Sequence, residues 1–248
     1  MNFFRAWFLL GLLTAALNAA EEKPFMSFFN PPTQPLPLEE HHSYQSASMK
    51  TQVGYNIYLP PGYADAGNTN LYPVIYWLHG RGCSESNDQF PATTVDSAIR
   101  SHKIPPLIFV YASGGAMSFY SDSFDGKWMA ETTVIQELIP HIDANYRTIA
   151  NRDGRAIQGM SMGGFGALKL AFKYPDLFSS VVAFAGGYRS AQEIQSDQVG
   201  REILKRVFAG DAQRFVANHP ATIAKANADA VRNRVAIRML ASPVLNVA

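Results

Sequence analysis

Apolar residues follow two different patterns along the chain. In the segment 52–59, Val53, Tyr55 and Ile57 occupy every second position and Pro60 follows, and a period of two predicts a strand with one buried face. Further along, the apolar residues form short continuous runs bounded by glycine, serine or proline. These runs cover residues 74–78, 107–111, 156–160, 181–185 and 235–240. Such runs are typical of parallel strands that are covered on both faces.

Segments with helical periodicity separate these runs. Three helices are predicted at 93–101, 132–146 and 163–174. Regular alternation of strand and helix predicts an α/β fold with a doubly wound, mostly parallel sheet. A more polar helical stretch at about 188–230 interrupts the alternation, and we interpret it as a small cap or lateral insertion.

The N-terminus has the pattern of a secretory signal peptide. Arg5 precedes an apolar run at 6–17, and the small residues Ala19 and Ala20 come before a charged segment. A membrane anchor is the alternative, but a run of about a dozen apolar residues is shorter than the ~20 that cross a bilayer. We therefore expect a signal peptide at 1–20, a periplasmic or secreted protein, and no membrane anchor after cleavage.

Two further segments complete the predicted organisation. The proline-containing residues 21–45 are interpreted as an extended leader with no assigned chemistry, and residues 46–248 as the α/β domain. The 248-residue chain has a formal net charge of +1 and no long basic run, so nucleic acid is not an expected partner. Cys83 is the single cysteine, which excludes an internal disulfide.

The most informative motif is a serine among glycines. After the apolar run 156–160, Gly159, Ser161 and Gly163 form a G-x-S-x-G pattern that leads into a predicted helix. This arrangement predicts a nucleophile elbow, a sharp turn that presents the serine above the sheet with backbone N–H groups of the helix start nearby. A buried serine that caps the helix is the alternative.

A second glycine turn follows the run 74–78. The sequence His79-Gly80-Arg81-Gly82 lies where this fold places an oxyanion-hole donor. The N–H groups of Arg81 and Met162 are the two candidate donors, and each such donor can contribute roughly 10²–10³ in kcat.

Several motifs together resemble one esterase family of the α/β-hydrolases, which includes S-formylglutathione hydrolases (esterase D), feruloyl and acetylxylan esterases, and mycobacterial mycolyltransferases. The motifs are Leu59-Pro60-Pro61-Gly62-Tyr63, Tyr72-Pro73-Val74 through Leu78-His79-Gly80, Tyr120-Ser121-Asp122-Ser123, Glu137-Leu138-Ile139-Pro140, and 159–164. The resemblance spans residues 53 to about 240. It implies an α/β-hydrolase fold and acyl transfer from an ester to water through a serine-bound intermediate, without a metal or organic cofactor.

The resemblance also implies roles for individual residues. Ser161 matches the nucleophile, and Arg81 and Met162 match the oxyanion-hole positions. Cys83 lies where S-formylglutathione hydrolases carry a cysteine, so it is either a redox-sensitive thiol or a small buried residue. The expected substrate is a small-molecule or carbohydrate ester, and export favours carbohydrate esters.

The triad acid and base are not identified. This fold orders its triad as serine, acid and histidine, and the family follows the strand at 235–240 with glycine and aspartate, which 241–248 lack. His219 is the one histidine after Ser161, and we expect a surface or helix-entry role for it. We likewise expect a structural hydrogen bond at His79. Asp176, Asp197, Asp211 and Asp229 are expected to be solvated or helix-capping carboxylates.

The missing triad partners leave three functional interpretations. The first is an esterase whose chain is incomplete at its C-terminus and weakly active or inactive, because loss of a triad histidine can cost on the order of 10⁶ in kcat. The second is a non-catalytic protein that binds an acylated sugar or lipid, and the third is an acyltransferase. A group of aromatic residues either lines a sugar or aryl pocket or packs in the core: Trp77, Tyr111, Phe119, Tyr120 and Trp128.

Overall fold

The computed structural model describes residues 25–87 and 90–241, and within them a seven-stranded sheet forms the centre of the molecule. The strands are β1 Glu40–Gln45, β2 Gln52–Tyr58, β3 Val74–Leu78, β4 Ile108–Ala112, β5 Arg155–Met160, β6 Ser180–Phe184 and β7 Ala236–Leu240. The predicted signal peptide lies outside the described residues.

The strand order is β1-β2-β4-β3-β5-β6-β7. β1 pairs antiparallel with β2, and β2 antiparallel with β4, whereas the five strands from β4 to β7 are parallel to their neighbours. The predicted mostly parallel sheet is therefore confirmed. Because β3 and β5 lie side by side at its centre, the turns that follow them meet at the same edge.

Helices cover both faces of the sheet. They are α1 Ala92–Arg100, α2 Ala130–Thr132, α3 Ile139–Asn145, α4 Met162–Lys173, α5 Ala191–Ser196, α6 Gln198–Val207, α7 Ala212–Ala217, α8 Pro220–Ala226 and α9 Ala228–Val231, with a π-helical turn at Thr133–Leu138 joining α2 to α3. Side chains of β3 show the two-sided burial, since Tyr76 and Leu78 pack in one cluster while Trp77 packs in the other. This explains why the central strands are continuously apolar.

The N-terminal segment differs from the expected extended leader. Residues 40–45 form β1, so the sheet begins before residue 46, where we predicted the domain to start. Met26 and Phe28 are buried in the core, and Gly54 N–H donates to the Phe28 carbonyl at 2.7 Å. β1 has no clear apolar periodicity, because only Tyr44 of its six residues is buried.

The interrupting stretch is helical, as its pattern predicts. Helices α5 to α9 lie between β6 and β7, and Asn227 separates α8 from α9. The side-chain amide of Asn227 donates to the Phe172 carbonyl at 2.9 Å, which ties the division to α4. Among the helices described, none has both the length and the apolar character needed to cross a membrane.

Candidate active site

Ser161 occupies the single residue between β5 and α4. Its backbone has φ 55° and ψ −116°, a conformation that costs a non-glycine residue about 1–3 kcal/mol. The surrounding backbone holds it there, since Ser161 N–H donates to the Phe184 carbonyl at 2.9 Å and the Ser161 carbonyl accepts from Gly187 N–H at 3.0 Å. The Ser161 side chain makes no capping bond to α4, so the capping alternative is wrong.

The glycines beside Ser161 allow close backbone contact. A Cβ at Gly163 would lie 1.9 Å from the Leu78 carbonyl oxygen, and one at Gly159 would lie 2.5 Å from the Gly163 carbonyl carbon. No side chain fits at either position. The start of α4 therefore lies directly against the end of β3, which brings the turn at 79–82 beside Ser161.

That second turn has the features of a rigid loop. Gly82 has φ +75° and its N–H donates to the Ala116 carbonyl at 2.8 Å, while Cys83 N–H donates to the Gly80 carbonyl at 3.2 Å. Within residues 25–87 and 90–241, the N–H groups of Arg81 and Met162 make no backbone hydrogen bond. Both remain available to an incoming oxygen, and Met162 lies at the positive end of the α4 dipole.

His79 has a structural role, in agreement with its predicted hydrogen bond. Its ring is buried, Nε2 accepts from Gly114 N–H at 3.2 Å, and Nδ1 therefore carries the proton donated to the Gly80 carbonyl at 2.9 Å. Burial lowers the pKa of His79 and keeps the ring neutral. Tyr120 adds a third bond, its hydroxyl donating to the His79 carbonyl at 3.2 Å.

His219 caps a helix. Its Nδ1 accepts from Ala221 N–H at 3.2 Å at the start of α8, and its ring packs edge-on against Phe165 at 5.3 Å between centroids. Burial lowers its pKa. Because Nδ1 is used as an acceptor, the neutral ring carries its proton on Nε2 and offers no second lone pair to a serine.

The four aspartates after Ser161 also have hydrogen-bond or ion-pair partners of their own. Asp197 and Asp211 accept backbone N–H groups at the starts of α6 and α7, at 2.7 Å and 2.8 Å, whereas Asp176 pairs with Arg234 and Asp229 with Arg232. In the described part of the chain, no histidine forms a hydrogen bond with Ser161. The acid and base of the triad stay unassigned.

The aromatic residues considered for a pocket pack mainly in the core. Trp77, Tyr111, Phe119 and Tyr120 are all buried, with at most 3% of their surface exposed. Trp128 is half-buried and its ring contacts Phe25 at 5.8 Å. Core packing is therefore the observed outcome for four of the five.

A buried ion cluster beneath the site was not foreseen from the sequence. Lys169 of α4 is fully buried, and its Nζ donates to the Tyr120 carbonyl at 2.7 Å and pairs with Glu131 at 2.7 Å. Burial alone raises the pKa of Glu131, but the charge of Lys169 and hydrogen bonds from Lys169, Lys173 and Tyr174 outweigh it and hold this pKa at about 2. The cluster joins α4 to the loop that supports His79. The sequence signal for this cluster was a lysine placed between Leu168 and Leu170 in an apolar helix.

Cys83 is half-buried, which differs from the small buried residue considered above. It lines a cavity of about 420 Å³ between the turn at 79–82 and the N-terminal segment. No group of three or more metal-ligating side chains occurs in the residues described.

A strained serine between a parallel strand and a helix, flanked by obligatory glycines, defines the α/β-hydrolase class. Comparison with known families agrees with this assignment. A family model described as "Putative esterase" matches residues 46–237, and the chain belongs to this family of carboxylic ester hydrolases.

Several similar proteins are named as esterases or as a related hydrolase. The chain is 38% identical over 149 residues to an esterase of Mycobacterium tuberculosis (59% of this chain, 32% of that protein). It is 34% identical over 163 residues to an endo-1,4-beta-xylanase/feruloyl esterase of Xylanibacter ruminicola (62% and 22%). Against mouse S-formylglutathione hydrolase the identity is 30% over 165 residues (60% and 56%). The matches thus span about a third or less of the first two relatives.

Solved structures confirm the fold. A ferulic acid esterase superposes with a TM-score of 0.59 at 20% identity, covering 82% of this chain and 90% of that one. An S-formylglutathione hydrolase from Agrobacterium tumefaciens gives 0.63 at 19% identity, covering 82% and 86%.

Proposed function

We propose that this chain is a serine esterase in which Ser161 is the nucleophile. The observation that carries the proposal is the conformation of Ser161, which is held by β6 in a strained backbone region although its side chain makes no bond to α4. Strain of this kind persists where the surrounding structure imposes it, and it is concentrated at functional sites.

In the proposed reaction, the Ser161 hydroxyl oxygen bonds to the ester carbonyl carbon and gives up its proton. The carbonyl oxygen becomes an oxyanion, which accepts hydrogen bonds from the N–H groups of Met162 and Arg81. The C–O bond to the alcohol then breaks, the alcohol takes a proton, and water releases the acid from Ser161. These donors act on charge that develops only in the transition state, so they accelerate the reaction rather than merely binding the ester.

The proton of Ser161 requires a base, and we place that base and its acid outside the described residues. The occupied nitrogens of His79 and of His219, the one histidine after Ser161, support this placement. Without the base, oxyanion donors and binding retain roughly 10³–10⁴ over the uncatalysed reaction in serine hydrolases. The described residues alone are accordingly proposed to support only weak esterase activity.

Carbohydrate esters are the proposed substrates. The signal-peptide pattern of the first twenty residues supports export to a compartment in which polysaccharide esters are found. In addition, the similar Xylanibacter protein is named an endo-1,4-beta-xylanase/feruloyl esterase. The fold by itself does not select among esters.

The test is acylation of the purified chain by p-nitrophenyl acetate, followed by mass spectrometry of its peptides. We expect a slowly formed acetyl adduct on Ser161 and its disappearance in Ser161→Ala. Ser101→Ala, an exposed hydroxyl at the end of α1, is the matched control and should acylate as the parent does. An adduct on another residue, or hydrolysis unchanged by Ser161→Ala, would overturn the proposal.

A second candidate is a non-catalytic protein that binds an acylated sugar or lipid. The absence of a histidine bonded to Ser161 in the described residues favours it. This second function requires saturable binding of the ester, with no acyl adduct on Ser161 formed over hours. Transfer of the acyl group to an added sugar hydroxyl, seen as a new ester product, would instead identify an acyltransferase.

A further inference from the structure

A cavity of about 420 Å³ lies between the N-terminal segment and the turn that follows β3. One wall comes from residues 27–33, including Ser27 and Thr33, and the other from residues 82–87, including Cys83 and Asn87. Its volume falls in the range of about 300–1,000 Å³ that is usual for ligand pockets.

A buried carboxylate fixes the N-terminal wall in place. The Glu85 side chain is fully buried, and its two oxygens accept from the Asn30 backbone N–H at 2.5 Å and the Asn30 side-chain amide at 2.9 Å. Ser86 returns a bond from its hydroxyl to the Asn30 carbonyl at 2.6 Å. Because charge-assisted bonds of this kind are strong, the wall is preformed rather than assembled by a ligand.

Aromatic packing holds the same segment from below. The Phe28 ring lies over Gly115, where a Cβ would come within 2.8 Å of the ring, and the Phe28 carbonyl accepts from Gly54 N–H at 2.7 Å. The N-terminal segment is thus part of the folded domain at this point.

The cavity lies next to the turn that carries the proposed oxyanion donor Arg81. Gly82 and Cys83 line it and directly follow Arg81, while Ala116 lines it and accepts the Gly82 N–H at 2.8 Å. The cavity thus adjoins the turn that carries Arg81, which makes it a candidate subsite for a group attached to an ester bound at Arg81 N–H.

The lining has the chemistry of a site for neutral, hydroxyl-rich groups. Its polar side chains are hydroxyls and amides, from Ser27, Asn30, Thr33, Ser84, Ser86 and Asn87, and its apolar part includes Pro31 and Pro32. No charged side chain lines it among the residues described.

We propose that this cavity binds the sugar portion of the ester substrate, and that the N-terminal segment 27–33 thereby determines substrate specificity. The proposal rests on the proposed esterase function, whose site it extends by a second subsite. It gives a role in recognition to a segment for which the sequence suggested none.

The test compares two adjacent exposed positions. Thr33→Trp places a large side chain in the cavity, whereas Gln34→Trp, the next residue, does not line the cavity and serves as the matched control. Binding is measured by calorimetry in the Ser161→Ala background, with acetylated xylotriose as the probe, so that the result does not depend on turnover. We expect saturable binding that Thr33→Trp weakens by about tenfold or more and that Gln34→Trp leaves unchanged.

Kinetics on the chain with Ser161 present separates this proposal from the proposed function. Thr33→Trp should raise KM for acetylated xylotriose while leaving hydrolysis of methyl acetate, whose alcohol is too small to reach the cavity, within about twofold. If neither ester is turned over but binding of acetylated xylotriose is still weakened by Thr33→Trp, the esterase function is refuted and the sugar site is retained. Absence of saturable binding, or equal effects of the two tryptophans, would refute the sugar site.

Discussion

Replacing Ser161 by glycine should leave the chain more stable than replacing it by alanine. Both substitutions remove the hydroxyl, but only alanine keeps the Cβ that makes φ 55° with ψ −116° unfavourable. Relief of that conformation is worth about 1–3 kcal/mol. Glycine also gives the unfolded chain more freedom, which opposes the gain by roughly 0.5–1 kcal/mol. The free energy of unfolding of the glycine variant is therefore expected to exceed that of the alanine variant by up to about 2 kcal/mol.

The comparison is made by urea unfolding and by thermal melting, where 1 kcal/mol corresponds to about 2–4 °C for a chain of this size. Ser97, exposed within α1, supplies the reference pair. There the order should be normal, with Ser97→Gly less stable than Ser97→Ala by about 1 kcal/mol. The same order at position 161 as at position 97 would refute the claim that the fold imposes strain on Ser161.

Two further predictions concern the structure around the site. Gly163→Ala should destabilise the chain by about 1–3 kcal/mol and slow acylation of Ser161 by on the order of 10²-fold, because its Cβ would meet the Leu78 carbonyl at 1.9 Å and the two must separate by about 1 Å. Gly164→Ala, where the nearest atom is 3.0 Å away, should have a smaller effect, and equal losses in acylation assays would contradict the contact argument. The Glu131 carboxyl, with a folded pKa of about 2 against an ordinary 4.5, should contribute about 3 kcal/mol above pH 4.5 and lose it as the pH falls to 2. In urea unfolding, the deficit of Glu131→Gln relative to the parent should therefore shrink between pH 5 and pH 2, and a constant deficit would exclude this linkage.

Much of the architecture was predictable because apolar periodicity reports burial directly. The continuous runs at 74–78 and 156–160 correspond to β3 and β5, since both faces of these strands are covered. β1 was not predictable in this way, because it lies at the sheet edge, where only one of its side chains is buried. Its place depends on pairing with β2, which is a contact between segments rather than a property of either one.

The same distinction between local sequence patterns and contacts of distant segments applies to the residues of the site. Ser161 and its glycines could be recognised because the elbow is formed by consecutive residues. The buried pair of Lys169 and Glu131 could not, since it joins residues 38 positions apart through tertiary packing. The cavity beside Cys83 was missed for the same reason, because one wall comes from residues 27–33 and the other from residues 82–87.

The contacts that position Ser161 are almost all made by backbone atoms of β3, β5, β6 and α4. The Phe184 carbonyl, the Gly187 N–H and the Leu78 carbonyl each constrain the elbow without any titratable side chain. The proposed nucleophile and the proposed oxyanion donors are therefore organised by the folding of the central sheet, independently of a triad histidine. It follows that adding a base should raise the rate of acylation without rearranging Ser161, so that binding of an ester and its activation are separable properties of this fold.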